Sequence, residues 1–270
     1  MPRPARRVLP WIAGVAIAGY LVVCALLYFQ QRRLVYYPQF TRAEPARTDI
    51  ELARPGATLR GWVVNPGQRD AVLYLGGNAE AVEANREDLA RWLPGHTTYL
   101  FAYRGYGASD GVPGEAALLA DALAQYDEVV GRHPQGRVSI IGRSLGSGVA
   151  THVAAERDVP RLVLVTPFDS LAAVAQAHYP FFPVRWLLHD RYDSAQRLPR
   201  HHGGLLVLRA GRDAVVPPAH TDRLLAAFRG KARVVDFPGA SHDDLSTDPS
   251  YWRALQDFLE AGDGSPPTDR

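Results

Sequence analysis

Cysteine and lysine are almost missing from this chain: Cys24 and Lys231 are each the single residue of their kind among 270. One cysteine excludes an internal disulfide and any metal site built from several thiolates, and it leaves the redox compartment unmarked. Arginine takes the place of lysine, so that 30 basic residues face 28 acidic ones and the formal charge is only +2. These arginines are scattered among acids and make no basic stripe, which excludes nucleic acid as a partner. No segment repeats another. Charge is also missing locally: from Val8 to Phe29 there is no Asp, Glu, Lys or Arg in 22 positions.

That uncharged stretch has the length of a membrane span, because 22 helical residues at about 1.5 Å each match a hydrocarbon core of roughly 30 Å. Arg3, Arg6 and Arg7 precede it and Arg32 and Arg33 follow it; Trp11, Tyr20, Tyr28, Tyr36 and Tyr37 include aromatics near its ends. A cleaved signal peptide is the competing reading, since Ala16-Ile17-Ala18 has the A-x-A form. Cleavage there would leave the apolar run from Gly19 to Phe29 exposed at the new terminus, which favours a retained anchor over residues 1–33. A lipoprotein signal at Cys24 is disfavoured by Val23, where a small residue is expected. The charge flanking the span is slightly heavier on its amino side, which leans toward an extracytoplasmic domain.

Beyond the anchor, residues 34–261 have the succession of one α/β domain, long enough for one sizeable core. Thr48–Ala53 and Leu59–Val64 form a leading hairpin across Arg54-Pro55-Gly56-Ala57. Ala71–Leu75 is an apolar run without alternation, as for a strand buried on both faces, followed by a helix expected over Glu80–Trp92. Strands at Thr97–Ala102, Arg137–Ile141, Leu162–Thr166, Leu205–Leu208 and Arg233–Phe237 then alternate with helices at Glu115–Val130, Leu145–Glu156, Ala219–Phe228 and Pro249–Leu259. The alternation predicts a mostly parallel sheet covered by helices on both faces. Residues 167–204, with Pro180, Pro183 and Pro199 and many aromatics, break the rhythm and read as an insertion over the sheet edge. Residues 262–270 read as a disordered tail.

Chemistry enters at Gly142-Arg143-Ser144-Leu145-Gly146. A G-x-S-x-G pentapeptide between a buried strand and a helix fits a nucleophile elbow, whose glycines keep side chains out of a strained turn that presents the serine hydroxyl. Ser109 and Ser241 lack such an elbow. A serine needs a base, and the base needs an orienting carboxylate. Ligand sites in open α/β sheets lie beyond the carboxyl ends of strands. There Asp213 follows the Leu205–Leu208 strand and His242 follows the Arg233–Phe237 strand, completing the order Ser, Asp, His. Asp169 is a rival acid, while Asp243 and Asp244 fit better as residues that start the last helix. Two backbone N–H donors should face the developing oxyanion: one from Leu145, the other from Asn78, or failing that Ala79, in the Gly76-Gly77-Asn78-Ala79 loop. His201-His202 have no acidic or cysteine partner at metal-ligand spacing and read as loop histidines. No metal or other cofactor is expected.

Taken together, Leu75-Gly76-Gly77-Asn78-Ala79-Glu80, Tyr103-Arg104-Gly105-Tyr106-Gly107-Ala108-Ser109-Asp110-Gly111, Gly142 to Gly148, Asp190-Arg191-Tyr192-Asp193-Ser194 and Gly211-Arg212-Asp213 with Val216-Pro217 resemble the α/β-hydrolase superfamily. Within it the chain is similar to the bud-emergence group and the α/β-hydrolase domain-containing depalmitoylases and lipases. The resemblance implies an α/β-hydrolase fold with Ser144 as nucleophile, Asp213 as acid and His242 as base. One departure is Gly76, where many relatives carry histidine before Gly-Asn. The expected function is a membrane-anchored serine hydrolase that cleaves carboxylic esters or thioesters through an acyl-enzyme. Phe181, Phe182 and Trp186 in the insertion would contact a small-molecule or lipid-like acyl substrate. The alternative is an inactive scaffold that keeps the fold without turnover. Oligomeric state is left open.

Overall fold

The computed structural model describes residues 5–261, with side chains from Pro10 onward. The expected tail at 262–270 and the flanking Arg3 lie outside the described residues. Helix α1 (Ala5–Val35) carries the uncharged stretch. It is long and apolar enough to cross a membrane, and its most apolar window is only 6% buried. Ala16 to Ala18 lie inside this continuous helix.

Next comes the hairpin of β1 (Ile50–Arg54) and β2 (Ala57–Val64), then β3 (Asp70–Leu75), α2 (Arg86–Trp92), β4 (His96–Phe101), α3 (Glu115–Arg132), β5 (Val138–Arg143) and α4 (Leu145–Glu156). The second half runs through β6 (Arg161–Val165), short helices α5 (Leu171–His178), α6 (Val184–Leu187) and α7 (Ser194–Arg197), then β7 (Gly204–Ala210), α8 (Pro218–Ala227), β8 (Ala232–Phe237) and α9 (Pro249–Glu260). The eight strands form one sheet in the order β1-β2-β4-β3-β5-β6-β7-β8. Only β1–β2 and β2–β4 pair antiparallel; from β4 to β8 every pair is parallel.

Every residue of β4 and β6 is buried, as is all of β3 after Asp70. Successive strand residues point to opposite faces, so burial of all of them means that helices cover both sides of the sheet. On one side α2 meets α9, with Trp92 stacked on Trp252 at 6.3 Å; α4 meets α3 and α7.

One expected element is shorter than its sequence suggests. The helix read from Glu80 begins only at Arg86, after a single 3-10 turn at Val82–Asn85. The Glu80 carboxylate folds back on the preceding loop, and Ala79 takes a left-handed conformation at φ 58°, so the chain cannot enter the helix there. Asp243 and Asp244 do not start the last helix either. Asp248 caps α9 by accepting from the Ser250 N–H, and Pro249 fills its first turn.

Strand order reverses at β3 and β5, which lie side by side with Leu75 opposite Gly142. The connections leaving these two strands diverge, opening a crevice at their carboxyl ends. Gly76 to Ala79 and Ser144 leave the sheet there.

Candidate active site

Ser144 has φ 50° and ψ −115° between β5 and α4. A side chain in this conformation is strained, and it persists because the neighbours allow nothing else. The Ser144 N–H donates to the Val165 carbonyl at 2.9 Å. A Cβ on Gly146 would come within 2.0 Å of the Leu75 carbonyl oxygen, and one on Gly142 within 2.5 Å of the Gly146 carbonyl oxygen. Both glycines are therefore required by close backbone approach as α4 packs on β3 and β5.

His242 lies in the loop after β8 and Asp213 in the loop after β7. Nε2 of His242 is 2.8 Å from Ser144 Oγ, and Nδ1 is 2.7 Å from Asp213 Oδ2. The other Asp213 oxygen accepts the N–H groups of Val215 at 2.9 Å and Val216 at 2.6 Å. These two bonds fix the carboxylate plane so that its free oxygen faces the imidazole. Asp213 and His242 are both buried, whereas one edge of Ser144 is open.

The Gly76 to Ala79 loop passes directly over the serine. A Cβ on Gly77 would lie 3.5 Å from Ser144 Cβ. Glu80 anchors the loop, with Oε2 accepting the Gly77 N–H at 2.5 Å and Oε1 accepting from Tyr74 at 2.6 Å and Asn85 at 2.8 Å. Burial pushes the Tyr74 and Tyr103 hydroxyls well above the ordinary phenol range, so both stay protonated as donors. Tyr103 uses its proton on the Gly76 carbonyl at 2.9 Å. Arg143 sits 3.4 Å from Glu80; burial works against its charge, but Glu80 and its neighbours raise its pKa above the ordinary guanidinium value.

The Asn78 side chain reaches the other way. Its Nδ2 donates to the Val35 carbonyl at 2.6 Å, and its Oδ1 accepts from Tyr106 at 2.7 Å and from the Tyr37 N–H at 3.3 Å. Among the described residues no neighbour accepts the backbone N–H of Asn78 or of Leu145. Leu145 opens α4, where first-turn N–H groups have no intrahelical acceptor.

The rival acid Asp169 is committed elsewhere. Burial alone would raise its carboxyl pKa, but Arg223 and His220, each at 2.6 Å, hold it below the usual range. Asp243 pairs with Arg143 at 3.1 Å, and Asp244 accepts the Ser241 N–H at 2.7 Å, turning the His242 loop. Ser109 is tied to the Ala102 carbonyl. His201 lies by the Gly204 carbonyl at 3.2 Å, and among the described residues no cluster of potential ligands could hold a metal ion. Phe181, Phe182 and Trp186 separate: Phe182 stacks on Tyr20 of α1 with ring centres 5.8 Å apart, while Phe181 and Trp186 are 86% and 89% exposed.

Sequence reasoning missed Glu80 as the hub of the loop, and with it Tyr74, Tyr103 and Tyr106. It also missed that α1 is stitched to Asn78. The only signal was the Leu75–Glu80 block itself, since nothing in periodicity marks a carboxylate that turns back on its own loop.

A family model described as serine aminopeptidase, S33, matches residues 67–196. An uncharacterized protein of Mycobacterium tuberculosis is 38% identical over 252 residues, covering 88% of this chain and 89% of its own. Lysophosphatidylserine lipase ABHD12 of Rattus norvegicus is 32% identical over 220 residues, covering 70% of this chain and 55% of its own. Among solved structures, Est1E of Butyrivibrio proteoclasticus with ferulic acid bound superposes with TM-score 0.65 at 18% identity, over 78% of this chain and 98% of its own. With the sheet order, the elbow and these relatives in agreement, the chain belongs to the α/β-hydrolase superfamily, in the group of bud-emergence and α/β-hydrolase domain-containing proteins.

Proposed function

We propose that this protein is a membrane-anchored serine hydrolase that cleaves carboxylic esters or thioesters through an acyl-enzyme. The observation that carries the reading is the continuous chain Asp213–His242–Ser144, with both links at hydrogen-bond length. His242 Nε2 takes the proton as Ser144 Oγ attacks the substrate carbonyl. The oxyanion forms against the Leu145 and Asn78 N–H groups, each such donor worth about 3 kcal/mol in the barrier. Collapse breaks the ester bond, and the alcohol or thiol leaves with the proton from His242. Water then gives its proton to the same nitrogen, attacks the acyl carbon and releases the acid with Ser144 restored.

Asp213 keeps His242 in the tautomer with Nε2 unprotonated and stabilises the imidazolium that forms in each half-reaction. Support for ester substrates comes from the lysophosphatidylserine lipase among the relatives. The anchor reading rests on α1, and the flanking charge favours a domain outside the cytoplasm.

A fluorophosphonate probe is the direct test, with labelling expected on folded wild type and abolished in Ser144→Ala. Wild type that resists the probe would return the protein to the inactive scaffold, and a Ser144→Ala variant that labels equally would remove Ser144 as the nucleophile.

A further inference from the structure

Between the carboxyl half of α1 and the insertion runs an apolar groove of about 240 Å³. Leu27, Gln31 and Leu34 form one wall, and Phe182, Leu187 and Leu188 the other. Gln31 is the single amide in these walls, and it is spent internally: Nε2 donates to the carbonyls of Tyr28 at 2.7 Å and Leu187 at 3.2 Å, while Oε1 accepts the His189 N–H at 2.7 Å. Both of its donors and one acceptor position are therefore used within the protein, and an apolar occupant loses little there.

The two ends of the groove lead to different places. At one end lies Val35, whose carbonyl takes the amide of Asn78, in the loop over Ser144, at 2.6 Å. At the other, Tyr20 stacks on Phe182 and its hydroxyl donates to the Phe181 carbonyl at 2.9 Å. Of the uncharged stretch, the twelve residues from Val8 to Gly19 make about 18 Å of helix, well short of a hydrocarbon core of roughly 30 Å. If α1 spans, the insertion that touches it from Tyr20 onward is itself immersed. Phe181 and Trp186 are then exposed to lipid rather than to water. The polar boundary falls near Arg32, which pairs with Asp190 at 3.6 Å.

We infer that this groove is the binding slot for one acyl chain of a membrane lipid, entered sideways from the bilayer, with the anchor helix as one of its walls. The inference rests on the esterase and anchor readings above and deepens them, because it makes the anchor part of substrate recognition rather than a tether. From Leu27 to Val35 the slot follows eight steps of helix, about 12 Å. A chain lying along it would carry its ester group toward the Asn78 loop.

Full-length Ser144→Ala protein in phosphatidylcholine vesicles, with a trace of phosphatidylcholine bearing a diazirine on its acyl chain, tests this without turnover. After irradiation, peptide mapping should find adducts on Leu27 and Leu187 in the groove as well as on Leu26 and Phe29, which are exposed on α1. Filling the slot with Leu34→Trp, or separately Leu188→Trp, should lower the groove adducts at least tenfold relative to those on Leu26 and Phe29 in the same sample. Groove adducts that are absent, or that survive both substitutions at the wild-type ratio, would overturn the inference. Because the measurement uses a variant without the nucleophile, failure of the hydrolase reading is seen separately, in the fluorophosphonate experiment.

Discussion

The two loops that meet over the substrate position are built in opposite ways. The elbow at Ser144 is held by backbone packing where its own strand and helix press on β3. Its glycines are forced by contacts of 2.0 and 2.5 Å with backbone oxygen, and its strained φ follows from how β5 turns into α4. The loop from Gly76 to Ala79 has no such local logic. Glu80, Tyr103 and Tyr106 hold it, together with the backbone of Val35 and Tyr37 from the end of the apolar helix. One half of the site is thus fixed by backbone packing of the elbow against β3, and the other by polar side chains from across the chain. Damage to the first should be all-or-none, and damage to the second should be graded.

The largest effects belong to the elbow. Ser144→Ala should lower kcat on a soluble acetyl ester by on the order of 10⁶-fold, and Asp213→Asn by about 10⁴-fold, as removal of a serine nucleophile or its orienting acid does elsewhere. Gly146→Ala should fail earlier, at folding, because the colliding atom is the Leu75 backbone. Circular dichroism should show a loss of several kcal/mol or no folded protein. Gly76→Ala is the sharp contrast. Its new Cβ would meet Val82 Cγ1 at 2.5 Å, the end of a buried side chain rather than backbone. Strain there should cost about 1–3 kcal/mol while leaving a folded enzyme. If the two alanines destabilise equally, the distinction between the loops is lost.

The next effect in size is graded. Glu80→Gln removes the carboxylate that accepts from Gly77 and Tyr74 and faces Arg143, leaving the donors over Ser144 less firmly placed. A shift of about 1 Å in such a site costs roughly 10²-fold. The fall should appear in kcat, with KM for a small ester within a few-fold, since the substrate pocket is untouched. Asn78→Ala keeps the backbone N–H and removes only the tie to Val35, Tyr37 and Tyr106; leaving those partners unsatisfied should cost about 1–3 kcal/mol of stability and on the order of tenfold in kcat. Equal losses in kcat and KM for either variant would mean that the loop positions substrate rather than the oxyanion.

This asymmetry also decides how much was legible in the sequence. Gly142, Ser144 and Gly146 announce themselves because their spacing marks a tight strand-to-helix turn and β5 and α4 on either side have clear patterns. Asp213 and His242 are nominated because each follows the carboxyl end of a strand, and the structure joins both in the hydrogen-bonded chain that ends at Ser144. Glu80 was misread as the opening of a helix, since a carboxylate after small residues looks like a helix start. Its true partners are an N–H three residues back, the Tyr74 phenol on β3 and the Asn85 amide five residues on. The link from α1 to Asn78 was illegible for a related reason: nothing in a span's composition says which loop its last carbonyl will meet.

Acid should weaken the scaffold under the elbow and has no histidine to act on in the Gly76 to Glu80 loop. His96 at the start of β4, His152 in α4 and His201 before β7 are each driven below the ordinary histidine value, foremost by burial; Asp70 partly opposes this for His96, Arg197 adds to it for His152, and the Gly204 carbonyl partly opposes it for His201. Nδ1 of His96 and of His152 is buried without a hydrogen-bond partner. Their folded pKa values lie below the unfolded value of about 6.5, so the unfolded chain binds more protons as pH falls through that value. The stability these neutral imidazoles contribute is complete above about pH 6.5 and is lost progressively below it, through the folded values. Asp70 and Asp169, with carboxyls held low by Arg137 and Arg223, lose their contribution only in stronger acid. Between pH 7.5 and 5.5 the Tm should therefore fall by several degrees, at about 2–4 °C per kcal/mol for a domain of this size. Replacing His152 by Phe should flatten part of that slope, because α4 would no longer bury a group that acid charges. A slope unchanged in His152→Phe would show that the imidazole behind the elbow reaches water and that the acid sensitivity arises elsewhere in the sheet.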